Sequence, residues 1–464
     1  MTPISLRASI PWALLPLALS TSAQSPKIDE DPTWNQARLE AASARIQTQV
    51  EALRGEKFQR AVNVKMSDTA SLRAYIAKRE AEMASPGRAH RDECSAKLLG
   101  LVAPSLDLRA LELEVLESQV GGFYDPSSDT FYLMDQMKGS GAKVILAHEF
   151  THALDDQLYD LDKILKTANE ETDSELALRS VIEGSGMNLM TRWATAHVDE
   201  YSFADLMSLQ SMGAEVLRRA PPLVWKPLLG TYTAGEAFLS HEAGKSKVVA
   251  SDQIARAFRE PPRSTEQILH PERYWDATKR DDPVRVRFDS AVLPDGWTEL
   301  AQDTLGELAL ALVTTPVADR KGFDVSNPLA AFGLKFTNEP AKGWGGDRVI
   351  LLARGDDRYF QLVTVWDTVK DALEFAAALE STAPKVYTGA RDPASGWVPH
   401  FTPTHFEVRT SADSRNPTAV VVRSASLATA DAEAFAALDV LWVTEPAPKK
   451  LPAETTGGST KDGR

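Results

Sequence analysis

Apolar positions recur at helical spacing near the start of the chain. Between residues 29 and 58 they fall at Trp34, Leu39, Ile46, Val50 and Leu53, and Gly55 stands where a helix C-terminus favours a left-handed residue. "RAVNVKM" alternates like a short strand, and Ser67 or Asp68 then caps a second helix through "ASLRAYIAKREAEM". "SPGRAHRDE" reads as a loop, and residues 106–116 as a helix following Pro104. In "GGFYDPSSDTFYLM", residues 121–134, two aromatic-rich arms flank a turn-rich centre, which predicts a hairpin. One helix follows from Val144 and another from about Asp173, through "SELALRSVIEGSGMNLMTRWATAHVDE". "APPLVWKPLL" opens a section that ends in a Pro-rich connector, "REPPRSTEQILHPERYW".

Near "RDDPVRVRFDSAVLPDGW" the pattern changes. A helix over 305–313 precedes a hairpin, "RVILLAR" and "YFQLVTVW" joined by "GDD". Thr368 caps "VKDALEFAAALE", "HFEVRT" and "TAVVVRS" form a strand pair, and "DAEAFAALDVLW" reads as a last helix. Helices alternating with antiparallel hairpins predict an α+β class, mainly helical at first and followed by a smaller α+β domain. The expected spans are 24–290 and 291–445, with 446–464 a disordered tail rich in Lys, Pro, Gly, Ser and Thr.

With 43% hydrophobic residues in 464, there is apolar material for more than one core. A net charge of −14 argues against nucleic acid as a partner. The N-terminus reads as an export signal over residues 1–23: Arg7, the apolar run "IPWALLPLALS", then "TSA" with cleavage after Ala23. An uncleaved anchor is the competing reading, but the run is short and broken by Pro11 and Pro16. The mature chain is therefore expected to be exported, periplasmic or secreted, without stable membrane insertion. Cys94 stands alone, so no internal disulfide is available, and stability must come from packing, to which a bound metal could add.

Candidate chemistry concentrates in "VILAHEFTHALDDQ", residues 144–157. On a helix, residues i and i+4 share a face, so His148 and His152 aim at one point and can bind one Zn²⁺. Glu149, about 100° around the axis, is badly placed as a ligand and well placed as general base. Apart from Glu149 no charge lies between Val144 and Leu154, so the helix is buried with one polar stripe. By contrast, His241-Glu242 lacks a second histidine and reads as surface. A third ligand must come from elsewhere. An extended motif would need Gly and His where Asp155 and Leu158 stand, which leaves a carboxylate from a following helix: Glu170, Glu171, Asp173, Glu175 or Glu183. Glu183 is the strongest, because "LRSVIEGSGMNLM" is an apolar setting where an unpaired carboxylate is costly, and Gly184 and Gly186 allow close approach. Asp155 and Asp156 either hold a ligand imidazole through its far nitrogen or are simply solvated.

On these residues the chain resembles gluzincin-type zinc metallopeptidases, with two His on one helix and a Glu on the next. More closely it is similar to a group of uncharacterised exported bacterial proteins sharing "VEALRGEKFQRAVNV", "GGFYDPSSDTFYL", "AHEFTHALDDQ", "LALRSVIEGSG", "PPRSTEQILHPERYW", "GWGGDRVILL" and "WDTVKDALEF". Two departures stand out. The group usually carries Gln at the position of Asp155, and Gly-Asp-Ala where this chain has Gly184-Ser185-Gly186, so Ser185 is a weaker substitute if that Asp orients a ligand histidine. The resemblance implies a zincin-like catalytic domain whose hairpin either lays an edge strand along an extended substrate or merely packs on the helix. It implies zinc bound by His148, His152 and Glu183, and peptide-bond hydrolysis by zinc-activated water with Glu149 as base. His270, Tyr232 and Tyr274 are the candidate oxyanion donors, His270 alternatively bracing the connector. Trp344, Asp347 and Arg348 are expected to fix a turn of the second domain. The expected partner is a peptide or protein substrate, and the oligomeric state is open. Two other readings compete: a non-catalytic zinc-stabilised binding module, and a zinc hydrolase of a non-peptide amide or ester.

Overall fold

The computed structural model describes residues 8–9, 33–168, 171–210, 212–242, 249–289, 293–323, 333–387, 403–411, 416–427 and 432–445. The expected signal segment apart from Ala8 and Ser9, together with Glu170 and the expected tail from 446, lies outside the described residues.

The chain opens with β1 (Ala8–Ser9) and α1 (Gln36–Arg54). The Asn35 side chain accepts from Arg38 N at the start of α1, and Gly55, at φ 78°, ends it. Next come β2 (Asn63–Ser67) and α2 (Thr69–Met83), capped by Asp68 through Ser71 N. Then follow α3 (Arg88–Leu98), α4 (Leu108–Gln119), β3 (Gly122–Asp125), β4 (Thr130–Met134), α5 (Ala142–Tyr159), α6 (Leu161–Lys166) and α7 (Thr172–Ala196). The helical part continues with α8 (Phe203–Gln210), α9 (Ala214–Arg219), α10 (Pro222–Ser240), α11 (Ser251–Arg259), α12 (Thr265–Leu269) and α13 (Glu272–Trp275). Beyond it lie β5 (Arg285–Phe288), β6 (Thr298–Asp303), α14 (Gly306–Val313), β7 (Trp344–Arg354), β8 (Asp357–Trp366), α15 (Val369–Tyr387), β9 (His405–Thr410), β10 (Ala419–Ser426), α16 (Ala432–Ala436) and β11 (Trp442–Glu445).

The architecture is α+β. A small sheet of order β1-β3-β4-β2, with β2 parallel to β4, lies in the helical part. An antiparallel sheet of order β6-β7-β8-β10-β9 forms the second part, and β11 pairs with β5. The core runs through α5 and α7, which are buried along most of their length. α7 and α10 touch backbone to backbone: a Cβ on Gly184 would lie 2.4 Å from the Gly235 carbonyl carbon, and one on Gly235 only 2.0 Å from Ser180 O.

Three stretches differ from the sequence pattern. The stretch read as a loop is helical from Arg88, because the first turn of α3 is exposed and polar and its buried face begins only at Glu93. The Pro-rich connector contains α12 and α13, both with buried faces, so it is part of the core. The last helix stops at Ala436, and Trp442–Glu445 extends to pair with Arg285–Phe288, joining residues on both sides of the boundary expected at 290.

Candidate metal centre

α5 sets His148 edge-on to His152 one turn apart, their ring centroids 4.4 Å from each other. α7 packs against α5 and brings Glu183 to both rings. Glu183 Oε2 is 3.2 Å from His148 Nε2 and 3.3 Å from His152 Nε2. Two ligands held tetrahedrally on one zinc at about 2.0–2.1 Å lie roughly 3.3 Å apart, so these separations fit a shared ion. All three side chains are buried. Neither ring nitrogen of His152 makes a hydrogen bond, the Nε2 approach to Glu183 being misaligned for one. A fully buried imidazole with both nitrogens orphaned is costly unless something else binds it. Two imidazoles and a carboxylate, buried and convergent, therefore fit a divalent metal with nitrogen and oxygen ligands.

Close packing sets this geometry. A Cβ on Gly186 would lie 2.6 Å from the His148 ring, so only glycine leaves room for it. On the other side the Tyr232 ring, from α10, stacks on His148 at 5.8 Å. Burial would raise the Glu183 carboxyl, but the charge of His152 beside it and the hydrogen bond with His148 bring it down to about 2. Burial, together with its neighbour His152, lowers His148 and favours the neutral ligand form. His152 is raised, because against its burial the Glu183 carboxylate attracts the proton. Burial first, then the Glu183 and Glu149 charges, push Tyr232 well above the ordinary phenol range, so it keeps its proton as a donor.

Of the two aspartates that follow the motif, Asp155 does not hold an imidazole. Its carboxylate takes Arg54 Nη2 at 2.5 Å and Ser185 Oγ at 2.6 Å, and Arg54 Nη1 reaches Ser185 Oγ at 3.2 Å. Ser185 thus joins a buried bridge that ties α1, α5 and α7 together. Asp156 accepts from Tyr124 Oη at 3.3 Å and Leu161 N at 3.1 Å.

His270 is not brought to the cluster. As the C-cap of α12 it pairs through Nε2 with Glu307 Oε1 at 3.0 Å, so the bracing alternative describes it. Tyr274 donates to Glu260 O at 2.7 Å. Among the other carboxylates, Glu171 pairs with Arg348, Glu175 with Arg88 and Arg179, and Asp173 accepts from Thr265. A second acidic group, Glu266, Asp281 and Asp367, already surrounds a cation: Arg273 Nη1 sits 2.6, 2.6 and 3.1 Å from the three. Trp344 and Asp347 lie at the start of β7, where Asp347 accepts from Trp344 Nε1 and from Leu305 N and Gly306 N at the start of α14. Sequence reasoning missed Arg54, whose only signal is a C-terminal helix position that looks like surface.

A domain of unknown function, DUF8575, matches residues 293–434. No curated protein matches the chain, and no solved structure does. The matched span covers the five-stranded sheet and α14, and leaves His148, His152 and Glu183 outside it. No helix of the described residues is long and apolar enough to cross a membrane.

Proposed function

We propose that this chain is an exported zinc-dependent metallopeptidase. The observation that carries the reading is the convergence of His148, His152 and Glu183, whose ligand atoms lie within 4.8 Å of one another in a buried site. These three would hold the ion, and a zinc bound there would acidify a water and polarise a scissile carbonyl. Glu149, buried next to His148 on α5, would take the proton of such a water and return it to the leaving amine. Tyr232 remains the candidate hydroxyl donor to the developing oxyanion.

The hairpin supports a peptide as substrate. Ala8 and Ser9 pair antiparallel with Phe123 and Gly122 on the outer edge of β3, so this edge accepts an extended chain. Gly121 packs on Ile145, one turn before Glu149, which sets the start of β3 against the motif helix. Removal of residues 1–23 would free the edge for substrate.

The test combines metal analysis of the purified chain with cleavage of unfolded casein and of a peptide library. About one zinc per chain is expected, together with cleavage that Glu149→Gln reduces by at least 10²-fold while zinc is kept. Wild type and Glu149→Gln equally inert, with zinc in both, would instead favour the binding-module reading.

A further inference from the structure

β5 and β11 form a ribbon of only two strands. It lies on one face of the five-stranded sheet, where Val286 and Phe288 share a core with Ile350 and Leu352. Beside β5 runs a groove of about 700 Å³, one wall of which is residues 283–289. At about 3.3 Å per residue that wall is roughly 20 Å long, enough for a short extended chain. Gln302, in register with Ile350, and Arg348, two positions before Ile350 on β7, belong to the same face and line the floor. The start of α7 forms the far wall.

The backbone of β5 is turned toward this groove. Asp289 N donates to Leu441 O at 2.8 Å, on the β11 side, and Val284 N donates to Gly345 O at 2.7 Å, away from it. Positions 286 and 288 have the parity of 284, so their N–H and C=O groups face the groove. On that side β5 pairs with no strand among the described residues. An unpaired edge of this kind is a template for another extended chain.

Charge selects the chain. Arg263, Arg285, Arg287 and Arg348 all line the groove. Glu171 and Asp289 oppose them, while Asp173 and Asp347 are only 1% and 2% exposed. Arg348 is engaged by Glu171 and Arg287 by Glu445, whereas Arg285 has no ion pair among the described residues. Arg285 and Arg287 are exposed and alternate with the buried Val286 and Phe288, so they stand on the outer face of the strand.

We propose that the groove docks an extended acidic peptide segment, which adds antiparallel to β5 as a third strand of the ribbon. Its backbone bonds positions 286 and 288, and its carboxylates stand across from Arg285 and Arg287. The groove shares no residue with the metal centre, so this binding goes beyond the peptidase reading and does not depend on it.

The test is fluorescence anisotropy of labelled acetyl-Val-Glu-Val-Glu-Val-amide on the full chain. Glu149→Gln is included so that the probe is not cleaved. Saturable binding of one peptide per chain is expected. In the proposed register the valine amides face β5 and the glutamate amides face away. N-methylation of the central valine should therefore abolish binding, and N-methylation of a glutamate should be tolerated. Arg285→Glu changes an exposed side chain and should weaken binding about tenfold, by replacing a cross-strand attraction with a repulsion. The analogue with lysine in place of both glutamates should not bind. No binding of the acidic peptide, equal binding of the lysine analogue, or equal loss from the two N-methylations would overturn the proposal. Binding indifferent to Arg285→Glu would overturn it too, because the peptide would then lie elsewhere, the metal centre included. A dimer in sedimentation that Arg285→Glu dissociates would give the edge to a second copy of the chain and overturn it as well.

Discussion

At the residue scale, Asp155 and Ser185 act together on one buried cation. They bond each other and both meet Arg54, so a single carboxylate, from α5, faces the buried guanidinium. Asp155→Gln leaves Arg54 buried without its counter-charge and should cost about 3–5 kcal/mol in urea unfolding. Adding Ser185→Asp should recover most of that loss. A double variant as unstable as the single one would show that the positions are not exchangeable. The convergence of His148, His152 and Glu183 was legible in sequence because i, i+4 histidines and a carboxylate in an apolar helix are local signals. Arg54 was not, because its partner lies 101 residues away and nothing around it in the chain is unusual. His270 misled for the same reason: its partner, Glu307, is 37 residues distant and looks like an ordinary first-turn acid of a helix.

At the scale of elements, the site depends on how closely α10 lies on α7. Gly184 and Gly186 signalled close approach in the sequence, and each has a specific neighbour, Gly235 and the His148 ring. What the sequence could not show was which helix supplies the partner, since Gly235 lies in "TAGEAF" with nothing to set it apart. Gly235→Ala would place a methyl 2.0 Å from Ser180 O, where backbone must yield. The expected loss is about 1–3 kcal/mol of stability, as for overpacked cores. Because Tyr232 and Glu183 flank this contact, zinc affinity should fall as well. A melting curve and a competitive chelator titration on the same sample measure both, and unchanged zinc affinity in a destabilised variant would mean that the contact carries stability alone. Length and period explain the remaining misses. A helix with an exposed polar first turn, such as α3, and helices of four or five residues, such as α12 and α13, present too few apolar repeats to be read.

At the scale of the whole molecule, α7 begins in the joint between the helical part and the second sheet, and that joint is unusually acidic. Asp173, 1% exposed, accepts from Thr265 N at 2.7 Å and Thr265 Oγ1 at 2.6 Å, and Asp173 N donates to Thr304 O at 2.9 Å. Gly306, at φ 77°, backs directly onto its carboxyl: any Cβ there would lie 1.8 Å from Oδ1. Burial first, and then the like charges of Asp347 and Glu171, hold the Asp173 carboxyl well above the usual carboxylate range. Residues 173, 265, 306 and 347 meet only in the folded chain, so no local pattern announces the joint. The consequence is a stability that depends on pH. The folded chain keeps a proton on Asp173 at pH values where the unfolded chain, with an ordinary value near 3.9, has lost it. The native state then binds more protons than the unfolded one, so stability is fully present below about pH 4 and declines as pH rises, by up to about 1.4 kcal/mol per unit for this group. Asp347, raised by burial to about 7, adds a decline of the same sign up to neutrality. Asp173→Asn reproduces the neutral carboxyl without a titrating proton. Its unfolding free energy, followed by urea titration from pH 5 to 8, should fall less steeply than that of the parent, and the difference in slope isolates Asp173. Parallel slopes in parent and variant would mean that Asp173 is ionised in the native joint, its charge carried by the Thr265 donors alone.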